Sequence, residues 1–197
     1  VEADVFTIVD TDANIAAAMA GNPATATTTA ALLAKAASVT LANGTVVKFD
    51  DIGGVLHIVG TRAQIEALPA SLAAANKIME VSVADLAANP GYFASLPSAV
   101  DYRVVDTFAN LTSGNALIGG ADGITVTNNI TMAQAVTART LGLAPGEVSY
   151  SLSDTTANLL AVNGFTGVLT DSTNVVATTP ATVAEAGTLR ASVTGTT

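Results

Sequence analysis

The sequence has no cysteine, no tryptophan, a single histidine and only seven basic residues among 197. Without cysteine there are no disulfides, thiolate metal sites or cysteine nucleophiles, a composition compatible with export, where a stray thiol is a liability. Lys35, Lys48, Arg62, Lys77, Arg103, Arg139 and Arg190 are scattered singly in a chain of formal net charge -9. They form no stripe that could neutralise phosphates, so neither nucleic acid nor an anionic membrane surface is an expected partner. No stretch reaches the ~18 uninterrupted apolar residues of a membrane span, and no membrane insertion is expected. Val1-Glu2-Ala3-Asp4 does not read as a signal peptide; it reads as a cut through a longer chain.

What is present is apolar and small. Half of the residues (50%) are hydrophobic, enough for a sizeable core, yet there are only five Phe and three Tyr. A stock of Ala, Val, Leu and Ile suits thin stacked layers better than one bulky core.

These residues recur in register. Four segments align without gaps: Phe6 to Ile15, Leu56 to Ile65, Tyr102 to Leu111 and Tyr150 to Leu159. Their shared Thr11, Thr61, Thr107 and Thr155 are 50, 46 and 48 residues apart. Phe6, Leu56, Tyr102 and Tyr150 occupy one column, and Ile8, Ile58, Val104 and Leu152 lie two positions on. Thr7, His57, Arg103 and Ser151 fall between them. That is a strand with one buried face. Asp10, Gly60, Asp106 or Asp154 followed by Thr then offers a helix N-cap. Ala13, Ala63, Ala109 and Ala157, followed by Ile15, Ile65, Leu111 and Leu159, fit a short helix returning over the sheet.

Weaker strands are expected between these copies, at Glu80-Val81-Ser82-Val83, Gly123 to Thr127 and Gly167 to Asp171, with a further one beginning at Leu189 to Val193. Helices are expected from Ala84, Thr131 and Thr182. The pattern reads as two alternating units of roughly 24 residues in a super-repeat of about 48. The chain is then a single repeat array over residues 1–197, with super-repeats starting near 5, 55, 101 and 149. Strands joined by helical crossovers run parallel with right-handed connections. The expected fold is therefore an α/β repeat solenoid of parallel strand–helix coils, leucine-rich-repeat-like or β-helix-like. Asn43-Gly44 between two alternating runs predicts an N-terminal β-hairpin. A compact α/β or all-β domain is the alternative.

Segments such as Tyr150-Ser151-Leu152-Ser153-Asp154-Thr155-Thr156-Ala157-Asn158-Leu159, alternating with Ile130-Thr131-Met132-Ala133-Gln134-Ala135, resemble the repeat regions of large bacterial surface or secreted proteins, adhesin-like and calcium-dependent exported proteins among them. The resemblance implies an extracellular or cell-surface location and a structural or adhesive role, as a stiff spacer or assembly scaffold, and carries over no catalytic residue. The partners it implies are neighbouring repeats of a larger protein.

Candidate sites fall into several groups. Asp10, Asp12, Asp106, Asp154 and Asp171 are expected near strand-to-helix corners, where carboxylates and carbonyls could hold calcium; N-capping explains the same residues without a metal. Asp122, within Gly119-Gly120-Ala121-Asp122-Gly123, and Asp50-Asp51 before Gly53-Gly54 are read as calcium positions or plain turns. Thr7, His57, Arg103 and Ser151, with Val5, Val55, Asp101 and Ser149, form an outward strand face: a solvated surface, a second buried layer, or a face docking a glycan or surface protein. Asn14, Gln64, Asn110 and Asn158 form an amide column whose wide spacing favours local bonds over a ladder. Asn110-Leu111-Thr112 and Asn129-Ile130-Thr131 match the glycosylation pattern. His57 lacks a triad context and no carboxylate pair stands out, so the expectation is not an enzyme; polysaccharide cleavage is the enzymatic alternative. Exposed coil faces and strand edges invite end-to-end self-association.

Overall fold

Period-two alternation builds the strands as the sequence implies. In one of them Val148, Tyr150, Leu152 and Asp154 are buried while Ser149, Ser151 and Ser153 are half-buried on the other face. The structure, a computed structural model, describes residues 6–23, 25, 28–114, 116–141, 148–161, 168–169 and 171–193. Its strands are β1 (Thr7–Val9), β2 (Ser38–Thr40), β3 (Val46–Ile52), β4 (Val55–Thr61), β5 (Lys77–Val81), β6 (Val100–Asp106), β7 (Gly123–Val126), β8 (Val148–Asp154) and β9 (Ser172–Ala177). The helices are α1 (Asp12–Met19), α2 (Thr29–Lys35), α3 (Arg62–Glu66), α4 (Val83–Ala88), α5 (Pro90–Phe93), α6 (Phe108–Leu111), α7 (Met132–Ala138), α8 (Thr156–Leu160) and α9 (Val183–Val193). The fold is α/β, and its strands among the described residues are mostly parallel.

Two compact units are present: Val1–Glu80 with Ser95–Tyr102, and Val81–Ala94 with Arg103–Thr197. In the first, β1 pairs parallel with β2, and β4 with β5. Between them β2, β3 and β4 run antiparallel. The hairpin expected at Asn43-Gly44 joins β2 to β3, with Gly44 at φ 83° and Leu41 N–H donating to Thr45 O at 2.9 Å. A second hairpin joins β3 to β4 through Gly53 (φ 61°) and Gly54 (φ 83°). Two successive positive φ values make the tight turn whose twist matches its flanking strands. Asp51 Oδ1 accepts from Gly54 N–H at 3.0 Å. Asp50 and Asp51 thus belong to β3 and its turn.

This unit's core gathers Ile15, Leu33, Val39, Leu41, Val47, Phe49, Leu56, Ile58, Ile65, Leu72 and Ile78. Lys77 lies beside the buried Ile58 in the β4–β5 register, and is only 7% exposed. Its stem fills the apolar column, and its ammonium donates to Ala73 O at 2.6 Å and Ala75 O at 2.7 Å. Burial pulls its pKa below the ordinary lysine value.

In the second unit β6, β7, β8 and β9 pair parallel in sequence. The crossovers carry α6, α7 and α8, and Leu86, Val104, Leu111, Ile124, Ile130, Ala135, Leu152 and Leu159 are buried beneath them. Three boundaries differ from the sequence expectation. The strand expected at Glu80 to Val83 is β5, ending at Val81, because Ser82 caps α4. Val168 and Leu169 are helical, and the strand expected there is β9, starting at Ser172. The strand expected from Leu189 is the last part of α9, where Ala184, Glu185, Ala186, Leu189 and Arg190 are all helix formers.

The Gly53-Gly54 turn gives a direct test. Gly54→Val should lower stability by about 1–2 kcal/mol, since a left-handed backbone forces Cβ against the following carbonyl. The urea midpoint should fall at unchanged slope.

Candidate functional site

The recurring feature is the corner where a strand ends and a helix begins. The helices are short: α3, α6 and α8 have five, four and five residues. Helices of that length do not persist alone in water, and their free N-terminal N–H groups are a large share of their backbone. Each corner supplies acceptors for them. Thr11, Thr61, Ser82, Thr107, Thr131, Thr155 and Thr182 each accept, through the side-chain oxygen, the N–H three residues on at 3.1–3.4 Å. An alanine follows every one of them two positions later: Ala13, Ala63, Ala84, Ala109, Ala133, Ala157 and Ala184.

The N–H of the capping residue itself is satisfied in one of two ways. At four corners the third helical side chain reaches back, closing a capping box. Gln64 accepts from Thr61 N–H at 2.7 Å, Asp85 from Ser82 at 3.0 Å, Gln134 from Thr131 at 2.9 Å and Glu185 from Thr182 at 2.7 Å. At the other three corners the third residue is asparagine, and an aspartate precedes the threonine. Asp10, Asp106 and Asp154 accept from Thr11, Thr107 and Thr155 N–H at 2.7, 2.8 and 2.8 Å. The amides of Asn14, Asn110 and Asn158 each donate to the same carboxylate oxygen at 2.7 Å. Aspartate and asparagine together do the work of one longer side chain. The Gly60 corner belongs to the first kind, where a Cβ on Gly60 would lie 3.0 Å from Gln64 Oε1.

A third acceptor comes from further along the chain. In the second unit the first helical N–H of α4, α6, α7 and α8 is taken by a side chain 20 to 23 residues further on. Val83 donates to Asp106 Oδ2 at 3.0 Å, Phe108 to Asn128 Oδ1 at 2.8 Å, Met132 to Asp154 Oδ2 at 3.0 Å and Thr156 to Thr179 Oγ1 at 2.9 Å. Asp106 and Asp154 therefore cap their own corner with one oxygen and the preceding coil with the other.

The donors act on the carboxyls. Burial raises Asp106 and Asp154, but the bonds from Asn110, Thr107 and Val83, and from Asn158, Met132 and Thr155, outweigh it. Both stay below the ordinary aspartate value of 3.8. Asp10 is held low by Asn14 and then by Thr11.

The positions singled out from sequence separate accordingly. Asp10, Asp106 and Asp154 sit at corners, with N–H donors rather than further oxygens around them. Asp12 Oδ1 accepts from Ala42 N–H at 3.0 Å. Asp171 is not at a corner: it precedes β9 and pairs with Arg139 Nε at 2.8 Å, without hydrogen-bond alignment. Nearby, the buried Tyr150 hydroxyl donates to Val168 O at 2.7 Å; burial, then Asp171, raises its pKa against the pull of Arg139. Asp122 is exposed at the start of β7. No group of three or more His, Asp or Glu among the described residues is placed to hold a metal ion.

Thr7 is exposed, while His57, Arg103 and Ser151 are half-buried. His57 Nδ1 lies 3.1 Å from Val55 O, and Ser151 Oγ lies 3.1 Å from Thr173 Oγ1. Val55 and Asp101 are exposed, Ser149 is half-buried, and Val5 lies outside the described residues. The amide column forms no ladder. Its asparagines bond within their own corners, and Gln64 also donates to Val46 O at 2.7 Å.

No family model, curated protein or solved structure matches the chain. Among the described residues no helix is long and apolar enough to cross a membrane.

Asp154→Ala removes the acceptor of three donors and should lower stability by about 2–3 kcal/mol in urea titrations. Asp10→Ala, which lacks the inter-coil bond, should have the smaller effect. The pH dependence has a fixed sign. The folded carboxyls titrate below 3.8, so their contribution is complete above that value and is lost as pH falls through the folded values. Melting temperature should drop in acid, and an Asp106→Asn/Asp154→Asn double variant should show a shallower drop.

Proposed function

We propose that the chain is a structural repeat module, an α/β solenoid serving as a stiff spacer or assembly scaffold of an exported bacterial surface protein, at the cell surface or outside it. The observation that carries this reading is the bond from each helix N-terminus to the next coil, repeated at α4, α6, α7 and α8. It makes each coil depend on its neighbour, which is the energetic signature of a stacked repeat. The chemistry-bearing residues support the same reading. The recurring carboxylates and hydroxyls are spent on backbone N–H groups at the corners, and the asparagine amides on those carboxylates. The absence of cysteine is compatible with export.

A deletion separates a scaffold from a compact domain. Removing residues 107–154 joins Asp106 to Thr155 and restores an Asp-Thr-x-Ala-Asn corner. Val83 keeps Asp106 as its acceptor and Thr156 keeps Thr179. A solenoid shortened by whole coils should still fold and unfold cooperatively by circular dichroism. A compact domain that loses β7 and β8 should not fold, and that result would overturn the reading.

A further inference from the structure

The inter-coil bond has a donor on one side and an acceptor on the other. Beside β1 and after β9 these halves have no partner among the described residues. On α9 the first helical N–H belongs to Val183, behind the Thr182 cap, and it has no acceptor among the described residues. Beside β1, Asp10 Oδ1 takes both Thr11 and Asn14, while Oδ2 has no donor among the described residues. In Asp106 and Asp154 that same second oxygen holds the first helical N–H of the preceding coil.

The surroundings match. Val183 is 93% exposed, whereas Val83, at the equivalent position of α4 beside Asp106, is 9% exposed. Val9 on β1 is 78% exposed and Val176 on β9 is 41% exposed. Neither edge strand contains a charged residue or a proline, the usual guards against strand pairing. Both edge strands pair parallel with their one neighbour, so a parallel pair between them would continue each pattern. Alongside Asp10 lies an apolar groove of about 550 Å³, lined by Ile8, Asn14, Ile15, Leu32 and Leu33 among others.

We infer that the β1 edge of one copy docks the β9–α9 edge of a second copy, with Asp10 Oδ2 accepting from the partner's first helical N–H on α9. The two surfaces differ, so the contact is heterologous and propagates beyond a dimer unless it closes into a ring. The inference deepens the scaffold reading and rests on it.

The test uses the full chain in sedimentation velocity over a concentration series. The wild type should gain mass with concentration. Asp10→Asn keeps an oxygen for Thr11 and Asn14 but turns an amide N–H toward the incoming donor. Val183→Asp sets a carboxylate beside Asp10 from a fully exposed position. Each should weaken association by roughly tenfold or more, the worth of one charge-assisted bond, with unchanged circular dichroism. Val9→Lys provides a second block of the β1 edge. An equimolar mixture of Asp10→Asn and Val183→Asp retains one intact junction per pair and should stop at heterodimers. Association of Val183→Asp with itself would point to β1 meeting β1 and overturn the proposal, as would a wild type that is monomeric throughout. A monomeric wild type beside a folded 107–154 deletion would sink the docking alone, whereas an unfolded deletion would sink the scaffold reading too.

Discussion

The structure depends on satisfying the first backbone N–H groups of very short helices. A helix of four or five residues contributes little hydrogen bonding of its own, so its N-terminal groups must find acceptors outside it. Here they do so in three directions: to the capping hydroxyl, to a side chain of the same corner and, in the second unit, to the next coil. The third direction turns a local requirement into a long-range one. The N-termini of α4, α6, α7 and α8 are complete only when the chain 20 to 23 residues further on is in place.

The burial pattern follows from that geometry. Where the residue four positions after the cap is large it goes inward, as Ile15, Ile65, Leu86, Leu111 and Leu159 do. The alanine two positions after the cap stays exposed at each of these corners, so it is kept for its helix propensity and small size rather than for the core. Lys77 shows how firmly the strand column is set. A lysine placed there is drawn in by its stem, and its charge is met by two carbonyls. The antiparallel excursion of β2, β3 and β4 is where the first unit departs from plain strand–helix repetition. Positive-φ glycines make that excursion possible.

Much of this was legible in the sequence, and the limits have physical causes. The columns headed by Phe6 and Ile8 read correctly as strand positions because their alternation is strict. The threonines read correctly as caps because Thr-x-Ala-Asn and Thr-x-Ala-Gln recur at fixed offsets. The Ser82 corner was missed, since Val81-Ser82-Val83 alternates like a strand although Asp85 closes a capping box on Ser82. The Gly53-Gly54 hairpin was read only as a turn, because its flanking residues Ile52 and Val55 are both exposed and give no clear alternation. The inter-coil acceptors left no single column to find. Asp106 and Asp154 stand immediately before their threonine, but Asn128 and Thr179 stand three positions before theirs, where β7 and β9 end short of the helix.

The two kinds of corner carry a consequence for how one could be converted into the other by substitution. Aspartate occurs only with asparagine three residues after the cap, and never with Gln64, Asp85, Gln134 or Glu185. An asparagine without its aspartate leaves the cap's own N–H open, while a side chain on Gly60 would crowd Gln64. Passing from one form to the other therefore crosses an intermediate that is worse than either end. A change from one form to the other needs both positions to change at once. The two letters, four residues apart, are bound to each other by one hydrogen bond and not to the residues between them.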